Sequence, residues 1–165
     1  MAPKKSKKTQ QSAVENKNEM RIAENRKARR NFEIIDTLEC GIALRGSEVK
    51  SLRAGKVSLD EAYGRIRDNE VWLISCDIAE YSHANVMNHE PRRPRKLLLH
   101  RREIHKFAAK AFERGLTLVP LKMYFKSGRA KILMGVGRGR KLFDKREKLK
   151  KETLKRDMDR AMRGR

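Results

Sequence analysis

Apolar and polar residues alternate in short runs through the first half of the chain, a pattern that favours strands over helices. The stretch 31–44 predicts two strands around a turn at Glu39-Cys40-Gly41. The stretch 63–81 predicts a β-hairpin that turns at Asp68-Asn69. Both stretches carry β-branched and aliphatic residues at alternate positions, as expected where one face of a sheet covers a core.

The second half continues the strand pattern after a basic, proline-containing loop at 88–96. A short strand is predicted at 97–99. The stretch 116–136 then predicts a long hairpin that turns at 126–129, with an edge or a bulge at Pro120, because proline cannot donate to a central ladder.

Two segments have helical periodicity instead. The stretch 46–55 predicts a short helix with Ser47 as its N-cap. The stretch 100–115 predicts a helix with one buried face and an end at Gly115, and its apolar residues lie at helical spacing: Ile104, Phe107, Ala108, Ala111 and Phe112. About six strands and two helices fit a mainly β protein, a small barrel of the oligonucleotide-binding type.

Charge divides the chain into a core and two arms. The formal net charge is +21, of which residues 1–30 carry +7 and residues 137–165 carry +8. Eight of the nine aromatic residues lie between these segments. We therefore predict a disordered basic extension at 1–24, a folded core at 25–136 and a basic tail at 137–165 that is disordered when free.

The tail nevertheless has helical signals. Asp144 followed by Glu147 resembles a capping box, and acid-then-base pairs recur at a spacing of four residues. Each such pair supports a helix by only about 0.2–0.5 kcal/mol. We expect the tail to become helical on contact with a partner, because an isolated helix of this length is marginal in water.

Enzyme and metal chemistry find little support in the sequence. Cys40 and Cys76 are isolated, which favours two buried thiols in a reducing compartment. The stretch 135–141 lacks the Gly-Lys-Ser/Thr ending of a phosphate-binding loop. The four histidines do not have the spacing of a zinc site, so we predict no metal and no cofactor. They are interpreted as lying at the surface or facing nucleic acid: His83, His89, His100 and His105.

The excess of positive charge indicates a polyanionic partner, either a nucleic acid or, as a second candidate, an anionic membrane surface. Four basic clusters with interleaved aromatic or aliphatic residues favour nucleic acid: 25–32, 91–102, 122–131 and 137–141. RNA is preferred to duplex DNA, because no DNA-reading helix is predicted and the core resembles a barrel.

Three segments carry a family resemblance: RGSEVKSLRAGKVSLDEAYGRIRD (45–68), RRPRKLLLHRREI (92–104) and GVGRGRKLFDKRE (135–147). In this order they resemble the SsrA-binding protein (small protein B) family, from about Asn25 to the C-terminus. That family is the bacterial partner of transfer-messenger RNA (tmRNA) in trans-translation, the rescue of ribosomes that stall without a stop codon.

The resemblance implies a cytoplasmic, non-enzymatic RNA-binding adaptor, a monomer bound 1:1 to tmRNA. It would bind the tRNA-like domain of tmRNA and deliver it to the A site of the stalled ribosome. The family's tmRNA contacts match Glu39, Leu98 and Lys131. Glu39 would accept hydrogen bonds from RNA or orient a neighbouring arginine. The basic clusters add further candidate tmRNA ligands: Arg92, Arg93, Arg95, Lys96, Lys126 and Arg129.

The resemblance also implies that the tail enters the empty mRNA channel of the small subunit, next to its ribosomal RNA, and replaces the missing anticodon arm. The tail residues that match are Gly139, Arg140, Lys141, Phe143, Asp144, Lys145 and Arg146. Two positions depart from the family, since Phe143 and Arg30 stand where histidine is usual. Gly137 and Gly139 are interpreted as a hinge between barrel and tail.

Two other functions remain open. One is a general RNA chaperone or an accessory protein of the ribosome with the same barrel. The other is an RNA-processing enzyme, which would need a catalytic carboxylate or histidine that the sequence does not identify. Selective binding of tmRNA over unrelated structured RNA distinguishes the adaptor from the chaperone.

Overall fold

The computed structural model describes residues 19–84, 88–111, 115–140, 153–154, 156–160 and 162. The described residues up to 140 form nine strands and three helices. The strands are β1 (Glu19–Glu24), β2 (Phe32–Ile42), β3 (Val57–Ser58), β4 (Tyr63–Arg67), β5 (Glu70–Ile74), β6 (Asp77–Ile78), β7 (Arg95–Leu98), β8 (Leu116–Lys126) and β9 (Arg129–Gly139). The helices are α1 (Arg26–Asn31), α2 (Gly46–Arg53) and α3 (Arg101–Ala111). None of the described helices is long and apolar enough to cross a membrane.

Seven strands form one antiparallel sheet in the order β1-β8-β4-β5-β7-β2-β9. Strand β9 also pairs with β8, so the six strands from β8 to β9 in this order form a closed ring. This arrangement is compatible with a barrel of the oligonucleotide-binding type, and the prediction of a mainly β protein is confirmed. Strand β1 lies outside the ring and extends the sheet next to β8.

Both predicted hairpins are present. Strands β4 and β5 join at Asp68 and Asn69, which have positive φ angles of 52° and 57°, as a tight hairpin turn requires. Strands β8 and β9 join at Ser127 and Gly128. The ladder between them shifts register between Pro120 and Lys122, which confirms the predicted bulge.

The turn predicted at Glu39-Cys40-Gly41 is wrong. Residues 32–42 form one strand that pairs along its length with β9 and, at Gly41 and Ile42, with β7. A bulge lies instead between Ile34 and Asp36. Glu39 and Gly41 therefore lie within a paired strand, and this rigid position decides which face of the sheet they occupy.

The barrel interior is filled by side chains from every strand of the ring. Cys40, Leu73, Met123, Ile132 and Met134 have no exposed surface. Helix α3 covers part of this core with Phe107, as its periodicity predicts. Both free cysteines are buried, and burial raises the pKa of Cys40 to about 12 and that of Cys76 to about 11.

The N-terminal boundary of the core differs from the prediction. Residues 19–24 form β1 instead of a disordered extension, whereas residues 1–18 lie outside the described part of the chain. Helix α1, which was not predicted, follows within the first basic cluster. Its N-cap is Asn25, whose Oδ1 accepts from the Ala28 N–H at 2.8 Å and whose Nδ2 donates to the Leu59 carbonyl at 2.7 Å.

The C-terminal boundary also shifts. Strand β9 continues through Gly139, and the Arg140 N–H donates to the Asn31 carbonyl at 2.9 Å. Gly137 is buried, and a Cβ placed there would lie 2.9 Å from the Phe32 Cβ. The interpretation of Gly137 and Gly139 as a hinge is therefore wrong, because both are paired strand residues.

The described residues of the tail are helical, at 153–154, 156–160 and 162. The apolar residues Leu154, Met158 and Met162 of this segment are all more than half exposed. Residues 141–152, which include the predicted capping box, lie outside the described part.

Gly64→Ala should destabilise the barrel by about 1–3 kcal/mol, because a Cβ at this position has no room. It would lie 2.7 Å from the Leu118 Cβ and 2.8 Å from the Met134 Cε. Urea denaturation followed by circular dichroism measures the effect. Gly46→Ala is the control, since a Cβ there would have no atom within 4 Å beyond its chain neighbours and the backbone of its own helix. Equal midpoints for the two variants would contradict this packing.

Candidate nucleic-acid interface

A row of residues crosses the outer face of the sheet at the centre of the candidate site. Leu98 of β7 pairs with Gly41 of β2, and Gly41 pairs on its other side with Lys131 of β9. Lys131 in turn pairs with Tyr124 of β8. Residues that pair directly across antiparallel strands point to the same face. The sheet therefore presents Leu98, which is 53% exposed, and Lys131 on one surface.

Glu39 lies two residues from Gly41 and so shares this face. Its carboxylate accepts a hydrogen bond from the Tyr124 hydroxyl and lies 3.1 Å from the Lys126 Nζ and 3.7 Å from the Lys131 Nζ. Burial opposes ionisation of Glu39, but the hydrogen bonds from Tyr124 and Lys126 dominate and lower its pKa. Glu39 therefore orients two lysines, whereas the sequence suggested that it would orient an arginine.

Three further residues complete this surface and were not among the ligands predicted from the sequence: Tyr124, Lys122 and Glu19. Burial and then the neighbouring Glu39 raise the pKa of Tyr124, so its hydroxyl remains a donor at neutral pH. The Lys122 Nζ lies 4.7 Å from the centre of the Tyr124 ring and 3.4 Å from the Glu19 carboxylate. Strand β1 could not be foreseen because it lies in a charged segment, so Glu19 gave no signal.

We refer to Glu39, Leu98, Tyr124, Lys126 and Lys131 as the RNA face. Its lysines point outward and share a single central carboxylate. Hydrogen bonding to Glu39 raises the pKa of Lys126, so its ammonium stays charged. An apolar side chain beside fixed cations suits an RNA strand, whose bases are apolar on their faces and whose backbone is anionic.

Arg95 does not belong to such a surface, and its prediction as an RNA ligand is corrected. Its side chain is fully buried, and its Nε donates to the Glu48 carboxylate at 2.8 Å. Its other nitrogens donate to the backbone carbonyls of Cys76, Pro91 and Arg93, at 2.6, 2.9 and 3.1 Å. With all of these bonds made inside the protein, the guanidinium cannot reach a phosphate.

Arg93 shares the same buried carboxylate, which it meets at 2.8 and 2.6 Å through two nitrogens. Glu48 is fully buried and also accepts from the Arg45 N–H at the start of α2, at 2.6 Å. Arg45 takes the N-cap position predicted for Ser47. Burial opposes ionisation of Glu48, but hydrogen bonds from Arg93 and the Arg45 backbone lower its pKa.

The same buried region holds His89, which was predicted to lie at the surface or to face nucleic acid. Its ring lies 3.0 Å from the Ser47 Oγ and 3.0 Å from the Ile78 carbonyl oxygen, and the residue is 2% exposed. Its role is therefore structural. Glu48, Arg93, Arg95 and His89 together anchor the loop before β7 to α2 and β6.

The remaining predicted basic ligands lie at the surface. Arg92 is exposed and lies 3.3 Å from Asp77, Lys96 pairs with Glu70, and Arg129 is exposed at the β8–β9 turn. Arg129 pairs across this hairpin with Lys126 and therefore lies beside the RNA face.

Of the predicted tail ligands, Gly139 and Arg140 are described and end the barrel beside α1. The other five lie outside the described residues: Lys141, Phe143, Asp144, Lys145 and Arg146. Arg30, the second position at variance with the family, lies in the last turn of α1. Within the described ranges, no group of three or more His, Cys, Asp or Glu residues could hold a metal ion.

A basic, mainly β barrel that presents fixed lysines and an exposed leucine on one sheet face defines a small RNA-binding protein. The family comparison is more specific. The chain belongs to the SmpB protein family, whose model matches residues 22–164. The resemblance found in the sequence is confirmed.

Curated relatives support this assignment over nearly the whole chain. An SsrA-binding protein of Rhodopirellula baltica is 57% identical over 143 residues, which cover 86% of this chain and 81% of that protein. An SsrA-binding protein of Bradyrhizobium sp. (strain ORS 278) is 54% identical over 154 residues, 91% of this chain and 98% of that protein. An SsrA-binding protein of Nostoc sp. is 54% identical over 144 residues, 87% of this chain and 93% of that protein.

A solved structure has the same fold. It is described as "tmRNA-SmpB: a journey to the center of the bacterial ribosome", and its matching chain is 49% identical. The TM-score is 0.64, and the match covers 76% of this chain and 92% of that chain.

Proposed function

We propose that this protein is an RNA-binding adaptor of trans-translation in the bacterial cytoplasm. It binds the tRNA-like domain of tmRNA and delivers it to the A site of ribosomes that have stalled without a stop codon. Its tail then lies in the empty mRNA channel against the RNA of the small subunit. The nascent peptide is tagged and the ribosome is released, and the adaptor itself performs no catalytic step.

The observation that carries this proposal is the RNA face. Glu39, Leu98 and Lys131 match the family's tmRNA contacts but lie up to 92 positions apart in the sequence. Strand pairing brings them to one surface, where Glu39 and Lys131 are 3.7 Å apart. Three separate sequence positions that converge on one exposed patch support a single RNA contact.

The chemistry of the RNA face assigns a role to each residue. Lys126 and Lys131 bind phosphates, and Leu98 packs against an unstacked base or a ribose. Glu39 holds both ammonium groups in position, and its remaining lone pairs accept hydrogen bonds from ribose 2′-hydroxyls or base amines. Because the lysines are fixed before RNA arrives, little side-chain entropy is lost on binding.

A competition assay tests the proposal. Labelled tRNA-like domain is displaced from the full-length protein by unlabelled tmRNA or by unrelated structured RNA of the same length. We expect tmRNA to compete far better, because the RNA face is proposed to match the shape of the tRNA-like domain. Equal competition by the two RNAs would refute the adaptor and support the general RNA chaperone.

Lys131→Ala should weaken binding of the tRNA-like domain and reduce the slope of log K against log salt by about one unit, because one phosphate contact is lost. Lys56→Ala is the matched control, since Lys56 is exposed in the loop after α2 and outside the RNA face. Binding is followed by fluorescence anisotropy between about 50 and 200 mM salt. An unchanged slope for Lys131→Ala, or an equal change for Lys56→Ala, would contradict a specific contact at Lys131.

A further inference from the structure

The outer face of strands β4, β5 and β7 carries Trp72, the only tryptophan of the chain. The residue is partly buried, yet it packs against neither of the two hydrophobic core clusters found in the described residues. Val71 and Leu73, its neighbours in β5, are fully buried on the opposite face. A large aromatic side chain on the solvent side of a strand adds little to this core, so its presence needs another explanation.

Cations flank Trp72 on both sides. It pairs with Arg65 of β4 and with Lys96 of β7, so the three side chains form a row on one face. Arg65 is exposed, and among the described residues it has no ion-pair partner. The cation–π contacts seen in the described residues involve other rings, so the face of the indole is not covered by either cation.

This row continues into the RNA face. Lys96 and Leu98 are alternate residues of β7 and therefore point the same way. Both also line a cleft of about 460 Å³ that Arg101 and Ile104 close from the side of α3. The surface around Trp72 and the RNA face are thus neighbouring parts of one outer sheet surface, joined by β7.

We propose that the row Arg65–Trp72–Lys96 binds single-stranded RNA, with an unpaired base stacked on the Trp72 indole and the adjoining phosphates on Arg65 and Lys96. This inference rests on the proposed function, since it extends the RNA contact beyond the RNA face. An aromatic platform between cations is the usual arrangement for binding unpaired nucleotides without strong sequence preference.

Charge favours RNA over a protein as the occupant of this surface. The row has two cations, and the acid that contacts it among the described residues, Glu70, is already paired with Lys96. An approaching phosphate can replace that carboxylate, whereas an apolar protein surface would have to bury Arg65 without a counter-ion. The continuity with a surface that already presents lysines strengthens the same conclusion.

Intrinsic fluorescence provides a direct test, because Trp72 is the sole source of tryptophan emission. The full-length protein is titrated with a labelled single-stranded RNA of about ten nucleotides and, separately, with the tRNA-like domain. Anisotropy of the label reports binding while tryptophan emission reports stacking. We expect quenching that saturates together with binding for the single-stranded RNA.

Trp72→Leu should weaken binding of the single-stranded RNA by about tenfold, whereas Trp72→Phe, which retains an aromatic face, should stay close to wild type. Tyr81→Leu is the control, because Tyr81 is an aromatic residue on a separate loop. Circular dichroism and urea midpoints confirm that the variants fold, as expected for a side chain outside the core.

The outcomes separate this inference from the proposed function. Saturated RNA binding without quenching, together with wild-type affinity of Trp72→Leu, would overturn the inference. A Trp72→Leu variant that binds both the single-stranded RNA and the tRNA-like domain as tightly as wild type would also overturn it, whatever its effect on ribosome binding. Equal competition by tmRNA and unrelated RNA would instead refute the adaptor and leave the Trp72 result standing.

Discussion

A chain that ends at Arg140 should bind the tRNA-like domain as tightly as the full protein but fail to support peptide tagging on stalled ribosomes. The cut leaves β9 complete, because the strand ends at Gly139 and the Arg140 N–H still donates to the Asn31 carbonyl. The RNA face therefore keeps Lys131 in place. Tagging should be lost because the residues proposed to occupy the mRNA channel are absent. Anisotropy measures the first property and a reconstituted tagging reaction the second.

A chain that ends at Val136 provides the contrast. It removes three paired residues of β9, including Gly137, which packs against Phe32. Its barrel should be less stable, so any loss of RNA binding in this shorter chain would reflect folding. If the chain ending at Arg140 lost tmRNA binding while it kept its urea midpoint, the division of labour between barrel and tail would be wrong.

Glu48→Ala should lower the free energy of unfolding by about 3–5 kcal/mol. The substitution leaves the buried Arg95 guanidinium without its carboxylate and removes the acceptor of two Arg93 nitrogens. It also leaves the Arg45 N–H at the start of α2 without its partner. Urea denaturation gives the value. Glu61→Ala is the control, since Glu61 pairs with Arg92 at the surface and such pairs contribute about 0–1 kcal/mol.

The lowered pKa of Glu48 also predicts how stability depends on pH. Because the pKa of Glu48 is lower in the folded protein than its ordinary 4.5, the ionised group stabilises the fold above that value. This contribution is lost as the pH falls through the lowered pKa. The stability difference between wild type and Glu48→Gln should therefore shrink below about pH 4.5. A difference that stayed constant down to pH 2 would show that the Glu48 charge does not stabilise the fold.

Local signals in the sequence were sufficient for the elements that form locally. The Asp68-Asn69 turn needs positive φ, and both residue types tolerate it, so the β4–β5 hairpin could be predicted. The single strand β2 could not be predicted, since its continuity through Glu39 and Gly41 depends on pairing with β9 residues that lie 90 or more positions away. Strand β1 is likewise held by β8 and carries no local strand pattern.

In the candidate site, too, some features could be predicted from the sequence and others depend on long-range strand pairing. The resemblance supplied Glu39, Leu98 and Lys131, while strand register supplied their proximity. Arg95 was misassigned because it lies in a run of basic residues, and its carboxylate partner lies 47 positions earlier. One local signal was present: Arg95 and Leu97 alternate with Lys96 and Leu98, so Arg95 shares the inward face of β7.

Strand β9 links the RNA face of the barrel mechanically to the tail that is proposed to act on the ribosome. It carries Lys131 near its start and leads into the tail at its end, and it is hydrogen-bonded to β2 on one side and to β8 on the other. The bonds of an antiparallel ladder run perpendicular to the strands. A pull on the tail directed along β9 therefore loads two ladders in shear, so that many bonds must yield together. A pulling force from the ribosome on the tail is therefore resisted by both ladders, and the barrel stays bound to its RNA.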